Sequence, residues 1–429
     1  MTTTVSAEYV TKRGFFKRGL IIATSVFFVF NQLFFFAVPQ QAKAAVDQWE
    51  SITPAGTAGY VFNTVAVIGN YVLLGTDHGV YKSVDGGANW ATMNTGLTNQ
   101  NVTSFAIGWG YDGMSFTADD TTTIYAGTPS GVFTSTLGGN SWIEMPGLSD
   151  VEDLEIDQYN ALVAADPTII FGGISSTTTG VYRSESAGPW GLSLNGESVQ
   201  SLSSGMNYET MAIIYATTDS DKVYYDLADL EGSGVYEDNW TEIFDGAGTT
   251  TRDINVSLPQ GMTAFLATDN GIFKGGDPAD LSAWIPFNDG LTSTDTRMVA
   301  SDYLNAGIGY VATDDGVFKS TSTDQSVPNW VQINKNLFDL DIVEIRTDPL
   351  SDLSVYAVGQ NGIYKLELTD KEGFPTVDPD TTAPNSASDI SITGTSLNSV
   401  TLTWTAPGDD GGSGTASLYD IRYSTSTIT

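Results

Sequence analysis

The sequence predicts an all-β protein that consists of a seven-bladed β-propeller followed by part of a β-sandwich. Stretches of the type Gly-Val-Tyr-Lys-Ser, first seen at residues 79–83, occur seven times in varied form. The tryptophans that follow them, from Trp90 to Trp330, are separated by 52, 48, 50, 44 and 46 residues. A repeat of roughly 40–50 residues that contains several short strands is typical of propeller blades.

Each repeat is expected to contain four strands. In the first unit, residues 64–68 and 71–76 form two apolar, β-branched runs upstream of residues 79–83, and Trp90 opens the fourth strand. Gly, Asn and Asp separate these runs, as expected between short strands. The segment 85–87, Asp-Gly-Gly, supplies residues that tolerate positive φ, so the chain can reverse there.

The count of strands predicts how the ring closes. The chain contains seven sets of the first three strands, but only six tryptophan strands follow them. The missing strand is found at residues 48–52, which contain Trp49 and precede the first unit. An N-terminal strand that completes the last blade removes the open edges of the ring. The propeller is therefore expected to span residues 45–368.

Residues 1–44 are predicted to be an export signal. Basic residues between positions 12 and 18 precede a mainly apolar stretch from Leu20 to Val38, and Ala42-Lys43-Ala44 is an A-x-A cleavage site. The alternative is an uncleaved membrane anchor, because the apolar stretch is about as long as a spanning helix. The signal predicts a secreted or cell-surface protein.

The composition excludes some partners. The formal net charge is −34 and there is no cysteine, so binding to nucleic acid or to an anionic membrane is disfavoured and disulfide chemistry is absent. The acidic residues are interpreted mainly as a solvated surface of a monomeric ring. Calcium binding in acidic loops is the alternative, and no cofactor is otherwise expected. These loops contain Asp119-Asp120, Asp219-Ser220-Asp221 and Asp314-Asp315.

One stretch carries a resemblance to a known superfamily. Ser83, Asp85, Gly87 and Trp90 match the S-x-D-x-G-x-x-W pattern, so residues 46–368 resemble the BNR or Asp-box propellers. That superfamily includes sialidases, xyloglucanases, sortilin-type receptors and photosystem II assembly factors. The resemblance implies that these four residues are structural, in a turn between the third and fourth strands. The other copies have drifted: Leu137 replaces the aspartate of the second, and an insertion separates Ser320 from Trp330.

A second resemblance concerns the end of the chain. Residues 369–382 are predicted to be an extended linker. Residues 383–429 resemble the first half of a fibronectin type III domain, with strands at 390–393, 399–404 and 419–423 and Trp404 as the core tryptophan.

Four residues are candidates for an active site: Arg252, Arg297, Arg346 and Glu344. The three arginines fall at or in the inner strands of consecutive units, and Glu344 shares a strand face with Arg346. Resemblance to sialidases implies an arginine cluster that grips a carboxylate. However, no Arg-Ile-Pro segment opens the first unit and no nucleophilic tyrosine can be assigned. The alternative is that these arginines simply pair with nearby acids such as Asp253, Asp295 or Asp348.

The sequence thus supports three hypotheses about function. The first is a non-catalytic binding module that presents loops to a glycan or an extracellular protein. The second is an extracellular glycoside hydrolase, sialidase-like or endo-glucanase-like, because acidic residues are plentiful. The third is an assembly factor for an envelope complex. A single histidine, His78, argues against a Ser-His-Asp triad or a multi-histidine metal site.

Overall fold

A computed structural model describes most of the predicted propeller and short pieces outside it. The described residues are 2–8, 47–108, 110–111, 116–117, 122–157, 169–175, 179–185, 188–207, 211–227, 238–246, 248–257, 263–275, 283–302, 305, 307–369, 391–395 and 399–405. The chain divides into two compact units. One comprises residues 44–376, and the other comprises residues 1–43 together with 377–429.

The smaller unit contains a three-stranded antiparallel sheet. Its strands are β1 (Thr2–Glu8), β32 (Ser391–Thr395) and β33 (Ser399–Thr405), in the order β1-β33-β32. The strands β32 and β33 confirm two of the three strands predicted at this end of the chain. The third, at 419–423, the side chain of Trp404 and the linker beyond Thr369 lie outside the described residues. The fibronectin type III assignment therefore stays a prediction.

The export signal also stays a prediction. Residues 2–8 pair with β33, whereas residues 9–46, which include the apolar stretch and the cleavage site, lie outside the described residues. None of the described segments is a helix with the length and apolar character needed to cross a membrane.

The larger unit is a seven-bladed β-propeller, which confirms the predicted architecture. Every blade is a four-stranded antiparallel sheet, and in the first six blades the strands follow chain order from the inside outwards. Blades 1 and 2 consist of β3 (Phe62–Ile68), β4 (Tyr71–Thr76), β5 (Gly79–Ser83) and β6 (Ala91–Thr92), and of β7 (Ser104–Gly108), β10 (Thr123–Thr128), β11 (Gly131–Thr136) and β12 (Ile143–Met145). A small hairpin, β8 (Gly110–Tyr111) and β9 (Phe116–Thr117), lies between β7 and β10.

Blades 3 to 5 follow the same plan. Blade 3 consists of β13 (Val151–Ile156), β14 (Ile169–Ile174), β15 (Gly180–Glu185) and β16 (Gly191–Asn195). Blade 4 consists of β17 (Val199–Asn207), β18 (Met211–Thr218), β19 (Lys222–Leu227) and β20 (Thr241–Asp245). Blade 5 consists of β21 (Thr251–Val256), β22 (Ala264–Thr268), β23 (Gly271–Gly275) and β24 (Ile285–Pro286).

The last two blades close the ring. Blade 6 consists of β25 (Thr296–Ser301), β26 (Gly309–Thr313), β27 (Gly316–Ser320) and β28 (Val331–Gln332). Blade 7 consists of β29 (Ile342–Asp348), β30 (Ser351–Gly359), β31 (Gly362–Glu367) and β2 (Trp49–Ser51). Trp49 lies opposite Leu366 and Ser51 lies opposite Tyr364, so the predicted closing strand is confirmed.

Tryptophans fasten neighbouring blades to one another. In four of the seven blades the indole N–H donates to a backbone carbonyl of the preceding blade, three residues beyond that blade's own tryptophan. These bonds are Trp90 to Ile52 at 2.7 Å, Trp142 to Met93 at 2.7 Å, Trp330 to Phe287 at 2.8 Å and Trp49 to Ile333 at 2.7 Å. Trp49, Trp142 and Trp330 are buried, with 2–3% of their surface exposed. These four tryptophans therefore stabilise the boundary between two blades.

The topology gives the ring two different faces. The chain enters every inner strand on one face, where the loops between blades and the turns between second and third strands also lie. We call it the front face. The turns between first and second strands, and those between third and fourth strands, lie on the opposite face, which we call the Asp-box face.

Candidate functional site

A central cavity of about 120 Å³ lies among the inner strands. Its lining includes Asp153 and Glu155 from β13, Asp253 from β21 and Arg346 from β29. Alternation along a strand places residues i and i+2 on one face, which explains why Asp153 and Glu155 line the cavity together. Glu344 lies two residues before Arg346 on β29 and is 5% exposed.

The carboxylates of these three acids and of Glu344 accept hydrogen bonds from backbone N–H groups of the next blade. An inner strand has one open edge, and its unpaired N–H groups need acceptors once they are buried. A side chain from the preceding blade supplies each acceptor. Asp153 accepts the N–H of Leu202 at 2.8 Å and Glu155 accepts that of Ser204 at 2.9 Å. Asp253 accepts the N–H of Val299 at 3.0 Å and Glu344 accepts that of Val65 at 2.9 Å.

Neutral side chains perform the same task between blades 4 and 5, and beside Asp253 between blades 5 and 6. Ser203 accepts the N–H of Val256 at 3.1 Å, and Asn255 accepts that of Ser301 at 3.1 Å. Joining the blades therefore requires an acceptor but no charge. The carboxylates add negative charge to the cavity beyond what this joining needs.

Burial raises the pKa values of these acids. Loss of solvation raises the pKa of Asp153 to about 6 and those of Glu155 and Asp253 to about 7, although the bonds from backbone and serine groups act in the opposite direction. Loss of solvation also raises the pKa of Glu344, and the charge of Arg346 opposes that increase. The cavity therefore holds carboxyl groups that change protonation near neutral pH.

Arg346 is the basic group that lines the cavity. Its Nε donates to Glu344 at 2.8 Å, and 38% of its side chain is exposed. The charge of Arg346 also lowers the pKa values of Asp153, Glu155 and Asp253, which shows that it lies among them. Arg346 and Glu344 are thus neighbours, as the sequence predicted from their spacing.

Arg252 and Arg297 lie elsewhere on the ring. Each occupies the second position of its inner strand, at a β-bulge near the front face. Arg252 pairs with Asp295, and Arg297 pairs with Asp341, in both cases across a blade boundary. Arg346 is the fifth residue of its strand, so it lies roughly 10 Å deeper at about 3.3 Å per residue. Each of the three arginines is paired with a carboxylate.

The Asp-box residues form a closed turn on the Asp-box face. Ser83 donates to Asp85 at 2.8 Å and accepts the N–H of Gly87 at 2.8 Å. Asp85 also accepts the N–H of Asn89 at 2.8 Å and its side-chain amide at 2.7 Å. These bonds lower the pKa of Asp85, with the Asn89 side chain as the largest cause. All the bonds of this carboxylate stabilise its own turn.

Two of the drifted Asp-box turns are stabilised in different ways. In blade 6, Asn329 takes the place of the aspartate, because its side-chain oxygen accepts the Ser320 hydroxyl at 2.7 Å and the N–H of Thr321 at 3.0 Å. In blade 2, Leu137 is fully buried in the core. Lys82 of blade 1 donates to the carbonyl of Leu137 at 3.0 Å, so the neighbouring blade secures this turn.

The remaining candidates lie in front-face turns. His78 stacks on Tyr60 with 3.9 Å between ring centroids, and its Nδ1 lies 2.7 Å from Asp77. Asp219–Asp221 and Asp314–Asp315 lie between second and third strands. Within the described part of the chain, no three acidic or histidine side chains come close enough to hold a metal ion. Asp119 and Asp120 lie outside it, and the calcium hypothesis remains a prediction.

The sequence interpretation missed three structural asparagines. Asn94, Asn288 and Asn334 accept the N–H of the second residue in the third strand of their own blade, at 2.7–2.8 Å. Each is followed three residues later by leucine, in Asn-Thr-Gly-Leu, Asn-Asp-Gly-Leu and Asn-Lys-Asn-Leu. This short recurring pattern after the tryptophans is the signal that could have revealed them. The cavity acids Asp153, Glu155 and Asp253 were missed as a group, because they meet only in the closed ring.

Comparison with known proteins places the fold among solved propellers. YCF48 bound to D1 peptide superposes with a TM-score of 0.52 at 16% identity, covering 77% of this chain and 97% of that one. An ancestral GH74 enzyme gives a TM-score of 0.53 at 18% identity, covering 75% of this chain and 49% of that one. The extracellular domain of the hybrid two-component system BT3049 from B. thetaiotaomicron gives a TM-score of 0.53 at 15% identity, covering 81% and 44%. Thus this chain matches less than half of the length of the last two proteins.

These similarities establish the seven-bladed fold and no specific activity, because the identities are low. No family model matches the chain, and no curated protein matches it. A peptide-binding protein and a glycoside hydrolase family are both represented among proteins of this fold.

Proposed function

We propose that the propeller is a non-catalytic binding module, secreted or held at the cell surface, that takes a protein or glycan ligand on its front face. The observation that carries the proposal is the separation of the three arginines. Arg252 and Arg297 pair with carboxylates near the front face, and Arg346 pairs deep in the cavity. A carboxylate clamp would need their guanidinium groups to converge on one point.

The bonding of the cavity acids supports the same proposal. Asp153, Glu155, Asp253 and Glu344 all accept backbone N–H groups from the neighbouring blade. They therefore contribute to holding the ring together, which is a role that needs no substrate. YCF48, a propeller with a bound peptide, adds support for a peptide or protein ligand.

A glycan array and a peptide array, each probed with the purified full chain, test the proposal together with sialidase and β-glucanase assays. The expected result is saturable binding with no turnover of either substrate. Replacing Arg252, Arg297 and Arg346 singly with alanine supplies the control. Cleavage that disappears in one of these variants would refute the binding-module proposal.

A glycoside hydrolase is the second candidate, and one observation favours it. Ser203 and Asn255 accept equivalent backbone N–H groups without charge, so the four carboxyls exceed the structural need. Raised pKa values near 6–7 also suit an acid catalyst. If this candidate is right, the chain will cleave a sialoside or a β-glucan, and Glu155→Gln will lower that activity at least a hundredfold. The resemblance to the GH74 enzyme directs the first assays to glucans.

A further inference from the structure

The loop between blades 6 and 7 has the same pattern of backbone hydrogen bonds as two other loops, those that follow blades 1 and 5. In each, a leucine N–H donates to the carbonyl of the asparagine three residues earlier. Three residues after that leucine, a carbonyl accepts the N–H of the glycine that opens the third strand. The leucines are Leu97, Leu291 and Leu337, and the glycine bonds are Gly79 to Gln100 at 2.7 Å, Gly271 to Thr294 at 2.7 Å and Gly316 to Leu340 at 2.8 Å. The three loops are therefore equivalent, position by position.

The side chains of the third loop differ from those of its sisters. The exposed positions hold Thr98 and Gln100 after blade 1, and Thr292 and Thr294 after blade 5. After blade 6 they hold Phe338, which is 87% exposed, and Leu340, which is 39% exposed. Packing does not require this change, because the buried Leu337 already supplies the apolar contact that the leucines make in the other loops. Exposed apolar side chains that packing does not explain indicate a contact surface.

Hydrogen bonds of the neighbouring residues fix the backbone that carries Phe338, whose side chain is exposed to solvent. Asp339, the next residue, is 7% exposed and accepts the N–H of Asn361 at 2.7 Å and that of Asp341 at 3.3 Å. The carbonyl of Leu340 accepts the N–H of Gly316. A partner that receives Phe338 therefore pays little conformational entropy to order this loop.

The charges beside these two side chains are mainly negative. The loop and the adjoining turn contain four carboxyl groups, those of Asp314, Asp315, Asp339 and Asp341. The nearby cations are Lys335 in the same loop and Arg297, which pairs with Asp341. Because the chain as a whole carries a formal charge of −34, an approaching basic segment is attracted to this surface.

We infer that Phe338 and Leu340 anchor a segment of a partner protein that combines apolar side chains with lysine or arginine. The inference rests on the proposed binding function and gives it a location and a ligand class. A leucine beside the aromatic ring favours a protein segment over a sugar, because a sugar stacks on an aromatic face and gains little from an aliphatic neighbour.

A peptide array tests this inference. The full chain is applied to twelve-residue peptides of four compositions: apolar with Lys/Arg, apolar with Asp/Glu, apolar with Ser/Gly, and Lys/Arg with Ser/Gly. We expect preference for the first composition. Phe338→Thr with Leu340→Thr should weaken that binding at least tenfold, because both changes introduce the residues that blade 5 carries at these positions. Ile143→Thr, which changes an apolar side chain that is 71% exposed on blade 2, should alter it less than twofold.

Several outcomes overturn the inference. Equal binding of all peptides rich in Lys/Arg, with no loss in the double variant, would show attraction by charge alone. Glycan binding that the double variant abolishes would assign the loop to a sugar. A dimer that dissociates in the double variant would assign it to a second copy of the chain. If the double variant still binds the peptide or glycan ligand, the docking site at Phe338 and Leu340 is wrong but the proposed binding function stands. If the chain cleaves a glycan and binds no peptide, the docking site and the binding function are both wrong.

Discussion

The tryptophan bonds between blades lead to a matched comparison. Trp330 is 2% exposed, and its indole N–H donates to the carbonyl of Phe287 at 2.8 Å. Trp284 occupies the same position in blade 5, but its buried indole nitrogen has no partner among the described residues. Replacement by phenylalanine removes the indole N–H and part of the ring at both sites. Only Trp330→Phe also leaves a buried carbonyl without its donor.

The expected difference follows from the costs of these losses. Complete removal of a buried tryptophan side chain costs about 3–5 kcal/mol, so the smaller change to phenylalanine should cost about 1–2 kcal/mol at Trp330 and no more than that at Trp284, which is partly buried. Leaving a buried acceptor unsatisfied adds about 1–3 kcal/mol. Trp330→Phe should therefore lower the free energy of unfolding by about 1–3 kcal/mol more than Trp284→Phe.

Urea unfolding followed by far-UV circular dichroism measures this difference, because that signal does not depend on the tryptophan removed. The slopes of the two transitions must agree for the comparison to hold. Equal losses in the two variants would show that the indole bonds contribute nothing to the blade boundaries. A larger loss in Trp284→Phe would refute the reasoning.

Three further predictions concern the cavity, the Asp-box turn and the bulge arginines. Because the folded pKa of Glu155 is raised to about 7, above its unfolded value, the folded chain retains a proton that the unfolded chain releases. The stability that Glu155 contributes should therefore be complete below about pH 4.5 and be lost as the pH rises through 7, and Glu155→Gln should remove this component from urea midpoints measured at several pH values. Asp85→Ala should cost about 1–2 kcal/mol through loss of its turn bonds, and limited proteolysis should cut the turn sooner; unchanged cleavage would contradict the structural role of the Asp-box. The ion pairs of Arg252 and Arg297 are partly exposed, so Arg252→Ala and Arg297→Ala should each lower the free energy of unfolding, measured by urea unfolding, by no more than about 1 kcal/mol, and a larger loss would show that the bulges depend on them.

The structure also changes how the candidate site is understood. The sequence places three arginines on inner strands, which is correct, and pairs Arg346 with Glu344, which is also correct. The depth of each arginine follows from its position in the strand, because all three strands begin with the same β-bulge and Arg346 comes three residues later than the other two. The sequence did not specify these positions, because the first residue of each strand is fixed only when the strands set their register.

The sequence by itself determined the number of blades, the closing strand and the composition of the Asp-box turn. These features depend on contacts within one repeat, or on a count of repeats, and short-range patterns record both. The pairing of the strand that contains Trp49 with the last strand of the ring was predictable because one repeat lacked its fourth strand.

Only the tertiary structure decided which side chains of one blade bond to the next. The carboxylate of Asp253 reaches Val299, 46 residues away, and the indole of Trp142 reaches Met93, 49 residues away. Such contacts join equivalent positions in successive blades, and they exist only once the ring has closed. Phe338 illustrates the same limit: the sequence contains an ordinary Leu-Phe pair, and the closed ring buries Leu337 while it exposes Phe338.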